Sequence, residues 1–238
     1  MNSPIILAVD TDNLDTAKSW VASTTPYVGF FKLGLEFFLK FGIEGVAQIL
    51  KETDRKIFLD LKLHDIPNTV GSAAQQVLSI SPEFLTVHAS GGPAMISAAV
   101  KALPDTKITA VTILTSLDQK DLEAIGYIGT PSERASALAL LAVDAGAKAI
   151  VSSPHEIQTI RTAIGKRALI ITPGVRPNLN LESSQSPQQS NSSDDQKRTM
   201  DPKSALSAGA DYLVIGRPIT ASKDVVTAAK SILEEALA

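Results

Sequence analysis

The chain alternates short β-branched apolar runs with longer stretches in which apolar residues recur at helical spacing. The apolar runs predict eight strands, at residues 5–9, 30–35, 57–61, 84–87, 108–114, 149–151, 169–171 and 212–215. The stretches that follow them predict eight helices, at residues 14–23, 36–51, 68–80, 93–103, 131–145, 156–164, 202–208 and 223–237. Strict alternation of strand and helix favours parallel strands joined by right-handed crossovers.

Eight βα units in 238 residues predict an α/β fold of the closed (β/α)8 TIM-barrel type, with residues 1–238 forming a single domain. An open, doubly wound sheet is the alternative. That fold usually carries a glycine-rich phosphate-binding turn after its first strand. Here the first strand is followed by Asp10-Thr11-Asp12, without a glycine. The barrel is therefore the favoured interpretation.

Active sites of such barrels lie where the carboxyl ends of the strands meet the βα loops. The carboxyl ends of these predicted strands should therefore carry chemically active side chains. They do so at Asp10, Lys32, Asp60, Lys62, His88, Thr115, Ser152, Arg176, Gly216 and Arg217. The amino ends of the strands carry only scattered charges.

The third predicted strand contains two opposite charges that alternate with leucines. Because side chains on a strand alternate between two faces, Asp60 and Lys62 point the same way and the flanking leucines point the other way. We expect the leucines to face the helices and the two charges to lie in the mouth of the barrel. A lone Asp-x-Lys pair is also typical of a structural ion pair. Lys32, inside another apolar run, adds a second ammonium to the same mouth and favours a site.

A second carboxylate, Asp65, lies beyond this strand. Pro67 fixes the turn into the next helix, so Asp65 is not expected to fold back onto Lys62 of its own chain. A partner subunit docked across the same face could use this carboxylate. We therefore expect a homodimer with shared active sites.

The loops after the seventh and eighth strands each supply glycine and arginine, in residues 172–177 and 215–219. Barrels often bind phosphate at these two loops. Glycine allows the backbone to approach an anion closely, and an arginine guanidinium pairs with two phosphate oxygens at once. Arg176, Gly216 and Arg217 are thus candidate phosphate ligands.

Residues 178–195 form a Ser/Gln-rich stretch with few apolar side chains. Such a composition buries little apolar surface, so we expect a mobile loop on the phosphate side. Its position between the two candidate phosphate loops favours an active-site lid, although an inert insertion also explains most of its residues.

Composition excludes several classes of protein. The chain has no cysteine, which excludes disulfides, thiolate metal sites and thiol nucleophiles, and its three histidines argue against a His-rich metal site. A net charge of −3 offers no general attraction to nucleic acid or to anionic lipid. The amino terminus lacks the pattern of a signal peptide, and no apolar run approaches the ~20 residues of a membrane span. We expect a cytoplasmic protein with neither nucleic acid nor membrane as partner.

The segment Asp-Leu-Lys-Leu-His-Asp-Ile-Pro-Asn-Thr at residues 60–69 resembles the orotidine 5′-phosphate decarboxylase family. The resemblance extends along nearly the whole chain, through Val9-Asp10, Lys32 and the segments 87–92, 114–116, 172–177, 195–196 and 214–218. It implies a dimeric barrel without cofactor or metal. The implied reaction converts orotidine 5′-phosphate to UMP and CO2, the last step of pyrimidine synthesis.

The resemblance also implies a role for each matching residue. Lys62 is implied as the proton donor to pyrimidine C6, and Asp60 as the carboxylate beside the departing CO2. Lys32 of the same chain, together with Asp65 of the partner subunit, completes a network of alternating charges. The remaining substrate-binding positions are Asp10 together with the partner subunit's Thr69 for the ribose, Thr115 and Gln196 for the base or phosphate side, and Arg176, Gly216 and Arg217 for the phosphate.

Three other interpretations stay open at this stage. A metal-dependent phosphosugar lyase or epimerase uses a similar Asp-x-Lys-x-x-Asp pattern, but residues 66–69 argue against it. A non-catalytic nucleotide-binding barrel is disfavoured by the complete set of Asp60, Lys62 and Asp65. An aldolase that forms a Schiff base through Lys62 predicts that borohydride traps its substrate.

Overall fold

Eight parallel strands close into a barrel in the order of the sequence, in a computed structural model that describes residues 3–177 and 199–238. The strands are β1 (Ile5–Ala8), β2 (Phe30–Gly34), β3 (Lys56–Leu63), β4 (Phe84–His88), β5 (Lys107–Val111), β6 (Ala149–Val151), β7 (Leu169–Thr172) and β8 (Tyr212–Ile215). β1 pairs with both β2 and β8, which leaves no free edge. The predicted barrel is confirmed, and the open sheet is excluded.

Helices surround the barrel and connect its strands. They are α1 (Leu14–Thr24), α2 (Leu35–Ile49), α3 (Pro67–Gln76), α4 (Gly92–Ala102), α5 (Gln119–Ala124), α6 (Pro131–Asp144), α7 (Ile157–Ile164), α8 (Pro202–Ser207), α9 (Arg217–Thr220) and α10 (Val225–Leu237). Short 3₁₀ turns occupy Leu78–Ile80, Ala89–Gly91 and Pro154–Glu156. The amino ends of the helices carry ordinary capping residues: Asn13 caps α1, and Thr130 forms a capping box with Glu133 at α6.

The fifth strand is shorter than predicted and ends at Val111 instead of residue 114. The strand ends where its two partner strands end, because Val111 pairs with His88, the last residue of β4, and with Val151, the last residue of β6. The Thr112 N–H makes the last ladder bond, to the Val151 carbonyl at 3.2 Å, and the Thr112 hydroxyl donates to the same carbonyl at 3.0 Å. A turn follows, in which the Leu117 N–H donates to the Leu114 carbonyl at 3.0 Å. Residues 113–115 therefore leave the sheet and line the mouth of the barrel.

Two short helices were not predicted, and α3 ends earlier than expected. Helix α5 begins with a capping box in which Asp118 and Asp121 each accept from the other's backbone N–H. Helix α9 follows β8 directly after Gly216. Helix α3 ends at Gln76, and the rest of its predicted span forms the 3₁₀ turn. Helices this short bury too few apolar residues to produce a recognisable period.

The apolar core has two parts. A large layer between strands and helices contains the outward residues of the strands, including Leu59 and Leu61, with Leu63 packed against it. The leucines of β3 thus face the helices, as predicted. A smaller cluster fills the amino end of the barrel interior, where the Phe84 ring packs 5.2 Å from Phe30 and 5.5 Å from Phe58. Because aromatic rings close that end, side chains at the carboxyl end surround the cavity.

Two predictions concern residues that the structure does not describe. The predicted lid at 178–195 and the candidate ligand Gln196 lie outside the described residues. The lid and the extent of the single domain therefore stay predictions. In the part of the chain that is described, no helix is long and apolar enough to cross a membrane.

Candidate active site

The inward side chains of neighbouring strands change from apolar to polar on going from the amino end to the carboxyl end. On β2 the inward sequence is Phe30 and then Lys32, and on β4 it is Phe84 and then Thr86. On β3 it is Phe58, followed by Asp60 and Lys62. Because inward positions recur every second residue, the strands that pack Phe30, Phe58 and Phe84 at the amino end of the barrel also place a ring of polar side chains toward its carboxyl end.

Asp60 lies at the centre of this polar ring. Its Oδ1 atom is 2.8 Å from the Lys62 ammonium, and its Oδ2 atom is 3.6 Å from the Lys32 ammonium. Lys32 also contacts Asp10, with 3.0 Å between Nζ and Oδ1. These four side chains form a charged row of alternating sign, in the order Asp10, Lys32, Asp60 and Lys62. The sequence prediction that two lysines and an aspartate share one mouth is confirmed.

The inner members of this row are buried. The side chains of Lys32 and Asp60 are only 10% and 13% exposed, whereas Lys62 is 30% exposed. Burial by itself raises the pKa of Asp60, but the attraction of Lys32 and Lys62 and the hydrogen bonds from Lys62 and Thr86 outweigh it, and the net pKa is lowered. Burial likewise lowers the pKa of Lys32, but Asp60 and Asp10 outweigh burial and raise it. Both groups are held in their charged forms.

The backbone departs from regular strand geometry at Lys62. Its φ is +50°, in the left-handed region, and the pairing of β3 with β4 shifts register between Leu59 and Leu63. The Lys62 N–H donates to the Thr86 hydroxyl at 2.7 Å. Regular alternation thus correctly predicted that Asp60 and Lys62 share a face, although Lys62 reaches that face from a bulge.

Gly34 provides the space that the Asp10–Lys32 contact occupies. A Cβ atom at this position would lie 3.1 Å from Asp10 Oδ1 and 3.3 Å from Lys32 Nζ. Gly34 pairs with Asp60 in the register of β2 and β3, so it lies at the level of the charged row. A side chain here would push against two of the four charged groups.

A cavity opens at the carboxyl end of the barrel. Its volume of about 280 Å³ is near the lower limit for small-molecule sites. The charged row forms one wall. Its lining residues come from all the strand ends except that of β4 and include Asp10, Lys32, Asp60, Lys62, Thr115, Ser152, Gly174, Arg176, Gly216 and Arg217. Eight of the predicted site residues are therefore brought together around one cavity.

The two glycine-and-arginine loops lie together in this cavity, as their strand positions predicted. Gly174 has φ of +79°, a conformation that favours glycine. The backbone after β7 is fixed because Arg176 N–H donates to the Met200 carbonyl at 2.9 Å. A Cβ on Gly216 would lie 3.4 Å from the Ala8 Cβ, so β8 passes close to β1 here.

Asp65 and Thr69 do not line the cavity of the described chain. Asp65 is exposed on the stretch that connects β3 with α3, and its Oδ1 atom accepts from the Ile66 N–H at 2.6 Å. Thr69 is exposed in the first turn of α3. The sequence expectation that Asp65 does not fold back onto Lys62 agrees with this position. The predicted roles of both residues in a partner's site stay predictions.

Sequence reasoning missed Thr86. Its side chain is fully buried and its hydroxyl donates to Asp60 Oδ1 at 3.0 Å. The available signal was its place between Phe84 and His88, which gives it the inward parity of β4. Within residues 3–177 and 199–238, no group of three or more His, Asp or Glu side chains is placed to hold a metal ion.

The fold and the position of the cavity define a (β/α)8 barrel with its site at the carboxyl ends of the strands, the arrangement of barrel enzymes. Comparison with known proteins is more specific. The model of the orotidine 5′-phosphate decarboxylase / HUMPS family matches residues 3–232. The chain belongs to this family.

Individual relatives match over nearly their whole length. Orotidine 5′-phosphate decarboxylase from Thermobifida fusca is 45% identical over 235 residues, which are 99% of this chain and 96% of the relative. The protein of that name from Sphingopyxis alaskensis is 46% identical and is covered, like this chain, to 98%. The crystal structure of the Lactobacillus acidophilus orotidine 5′-phosphate decarboxylase superposes with a TM-score of 0.83 at 32% identity, covering 99% of this chain and 100% of that one.

Proposed function

We propose that this chain decarboxylates orotidine 5′-phosphate to UMP and CO2 in pyrimidine biosynthesis, without a cofactor. The observation that carries the proposal is the row of Asp10, Lys32, Asp60 and Lys62 along one wall of the cavity, with Arg176 and Arg217 elsewhere on its lining. The two ammonium groups of this row suit a reacting carboxylate, and the arginines suit a phosphate. The names of the full-length relatives support the same reaction.

The proposed chemical step needs a cation fixed beside the reacting carbon. When the bond between C6 and the carboxylate breaks, the electron pair stays on an sp² carbon that has no adjacent electron sink. The Lys62 ammonium stabilises this pair and then transfers a proton to C6, and neutral Lys62 regains a proton from water. Because charge on C6 develops only in the transition state, a preorganised ammonium lowers the barrier more than it strengthens substrate binding.

Asp60 supports the cofactor-free proposal in two ways. Its two oxygens face the ammonium groups of Lys62 and Lys32, and this surrounding positive charge opposes a metal cation at the same carboxylate. It also holds Lys62 in place, since it accepts from Nζ at 2.8 Å. Binding energy at the phosphate end is available for orienting C6 against this pair.

The homodimer with shared sites is part of the proposal. Exposed apolar side chains lie beside the cavity, just after the strands β2 and β3 that carry Lys32, Asp60 and Lys62. Ile66 is 65% exposed next to Asp65, and Leu35 and Leu39 on α2 are 47% and 80% exposed. A partner that covers this apolar edge would bring its own Asp65 and Thr69 toward the cavity.

The direct test is decarboxylation of orotidine 5′-phosphate, followed by ultraviolet absorbance after the protein has been stripped of metal with EDTA. We expect full activity, with UMP as product. Activity that disappears with EDTA and returns with a divalent cation, or consumption of ribulose 5-phosphate, would instead support a metal-dependent phosphosugar enzyme. UMP binding without turnover would support a non-catalytic barrel.

A further inference from the structure

We propose that Thr86 is a positioning residue of the reaction: through one hydroxyl it fixes both the carboxylate of Asp60 and the backbone that presents Lys62. This inference rests on the proposed function and deepens it. Thr86 lies in the middle of β4, is fully buried, and does not line the cavity. It acts on the site through its neighbours and has no contact with the space in which substrate binds.

The hydroxyl of Thr86 is used in both directions. It accepts from the Lys62 N–H, with 2.7 Å between nitrogen and oxygen, and it donates its single proton to Asp60 Oδ1 at 3.0 Å. A hydroxyl has one proton and can also accept, so these two bonds together define its orientation. The same oxygen atom thus links the acid and the base of the Asp-x-Lys pair across two strands.

The bond to Lys62 replaces a ladder bond that the sheet does not provide at this point. The pairing of β3 with β4 is interrupted between Leu59 and Leu63, and Lys62 has φ of +50°. A lysine in the left-handed region is strained and persists only where its surroundings hold it there. The Thr86 hydroxyl is the partner that the Lys62 N–H finds, so losing it would free the bulge to relax.

The hydrogen bond from Thr86 to Asp60 fixes which carboxylate oxygen faces which lysine. Oδ1 receives Thr86 and the Lys62 ammonium, whereas Oδ2 faces the Lys32 ammonium at 3.6 Å. Without the hydroxyl, the carboxylate is free to rotate toward Lys32, and the Lys62 ammonium loses its fixed position. The consequence is a cation whose direction toward the substrate varies, which weakens stabilisation of the transition state more than binding of the ground state.

The test compares kcat and KM for orotidine 5′-phosphate in Thr86→Val, which keeps the shape and removes the hydroxyl, and Thr86→Ser, which keeps the hydroxyl. We expect Thr86→Val to lower kcat by about 10- to 100-fold with KM changed less than about threefold. Thr86→Ser should stay within about threefold of the wild-type kcat. UMP affinity, which reports an intact cavity, should hardly change in either variant.

Thr109→Val is the matched control. Thr109 is also fully buried on the adjacent strand β5, but its hydroxyl donates to the Lys107 carbonyl, away from the charged row. We expect its kcat to be unchanged. Should Thr86→Val not fold, Thr86→Ala removes the same hydroxyl without adding bulk, and the same loss of kcat is expected.

Three results would overturn the proposal: a Thr86→Val or Thr86→Ala enzyme with wild-type kcat, a loss in Thr86→Ser as large as that in Thr86→Val, or an effect confined to KM. Each is distinct from failure of the proposed function, which would appear as wild-type protein that does not decarboxylate orotidine 5′-phosphate. The wild-type assay therefore separates the two.

Discussion

The Nζ atom of Lys62 lies 2.8 Å from Oδ1 of Asp60, two residues earlier on the same strand. The backbones of two such residues are about 6.6 Å apart in a regular strand, so the long lysine side chain must lie along β3 toward its own carboxylate. The Asp60 side chain is 13% exposed and that of Lys62 is 30% exposed. The ammonium is thus anchored at a buried acid and still reaches the cavity.

The first prediction concerns this ammonium. Lys62→Ala removes both the developing charge stabilisation and the proton donor, so we expect kcat to fall by at least about 10³-fold. UMP affinity should fall far less, because the phosphate and ribose contacts remain. Turnover is measured by ultraviolet absorbance and UMP binding by calorimetry.

The control for this prediction is a lysine with an ion pair far from the cavity. Lys230 on α10 is 58% exposed and pairs with Glu234 at 3.9 Å. Lys230→Ala should leave both turnover and UMP binding unchanged. If Lys62→Ala retained a tenth or more of the wild-type kcat, Lys62 could not be the proton donor, because the loss of one weak contact already lowers kcat by about tenfold.

The second prediction concerns the dependence of stability on pH. Asp60 has a pKa below its ordinary value of 3.8, so its ionised form stabilises the fold above pH 3.8, and this contribution is lost as pH falls through the lowered pKa. At neutral pH we expect Asp60→Asn to reduce the free energy of unfolding by about 3 kcal/mol. This value is at the lower end of the range for a broken buried ion pair, because Lys32 still has Asp10 as a partner. The difference between wild type and variant should shrink toward zero in strong acid.

Urea unfolding followed by the fluorescence of Trp20, the one tryptophan in the chain, measures this difference at each pH. Asp54→Asn is the control, because Asp54 is 81% exposed and pairs only loosely with Arg55, at 3.8 Å. It should change stability little at any pH. A difference between wild type and Asp60→Asn that stayed constant into strong acid would contradict the lowered pKa.

The shared inward face of Lys32 and Asp60 could be predicted from the sequence because it depends on the period of a strand. Phe30, Phe58 and Phe84 have the same inward parity as Lys32, Asp60 and Thr86, and the closed barrel follows from eight repeated units. Local alternation and strand order together place these residues at one end of the interior.

Features that depend on contacts between strands could not be predicted in this way. The bulge at Lys62 exists because β3 and β4 shift register, and β5 ends where its partner β6 ends, at the pair of Val111 and Val151. Neither partner is near in sequence. Thr86 was missed for the same reason, since threonine is ordinary in strands and only its contact with Asp60 and Lys62 marks it.

The third prediction tests the space around the charged row. Gly34→Ala would place a Cβ 3.1 Å from Asp10 Oδ1 and 3.3 Å from Lys32 Nζ, so these groups must move by a few tenths of an ångström. We expect kcat/KM to fall by about tenfold because the row is misaligned. The free energy of unfolding should change by less than about 1 kcal/mol, because Asp10 is half exposed and can move.

Gly71→Ala serves as its control. A Cβ on Gly71 would lie 3.5 Å from the Ala98 carbonyl oxygen, an ordinary contact, and α3 gains a better helix former. Steady-state kinetics should show no loss. Equal losses of kcat/KM in the two variants would mean that Gly34 has no special relation to Asp10 and Lys32.

The fourth prediction tests the shared site. If each site combines Lys62 of one chain with Asp65 of the partner subunit, Lys62→Ala and Asp65→Ala chains are each nearly inactive alone and regain activity when mixed. A heterodimer then has one site with both residues intact and one with neither. Random pairing makes half of the dimers mixed, so about a quarter of the wild-type activity is expected.

Mixing Lys62→Ala with Asp60→Asn is the matched control, because both residues lie on β3 of the same chain and contact each other at 2.8 Å. No heterodimer of these two chains contains an intact site, and activity should stay at the level of the single variants. Two affinity tags allow the heterodimers to be purified before the assay. Equal recovery in both mixtures, or none in purified Lys62→Ala and Asp65→Ala heterodimers, would place Asp65 outside the partner's site, since complementation requires the two residues to come from different subunits.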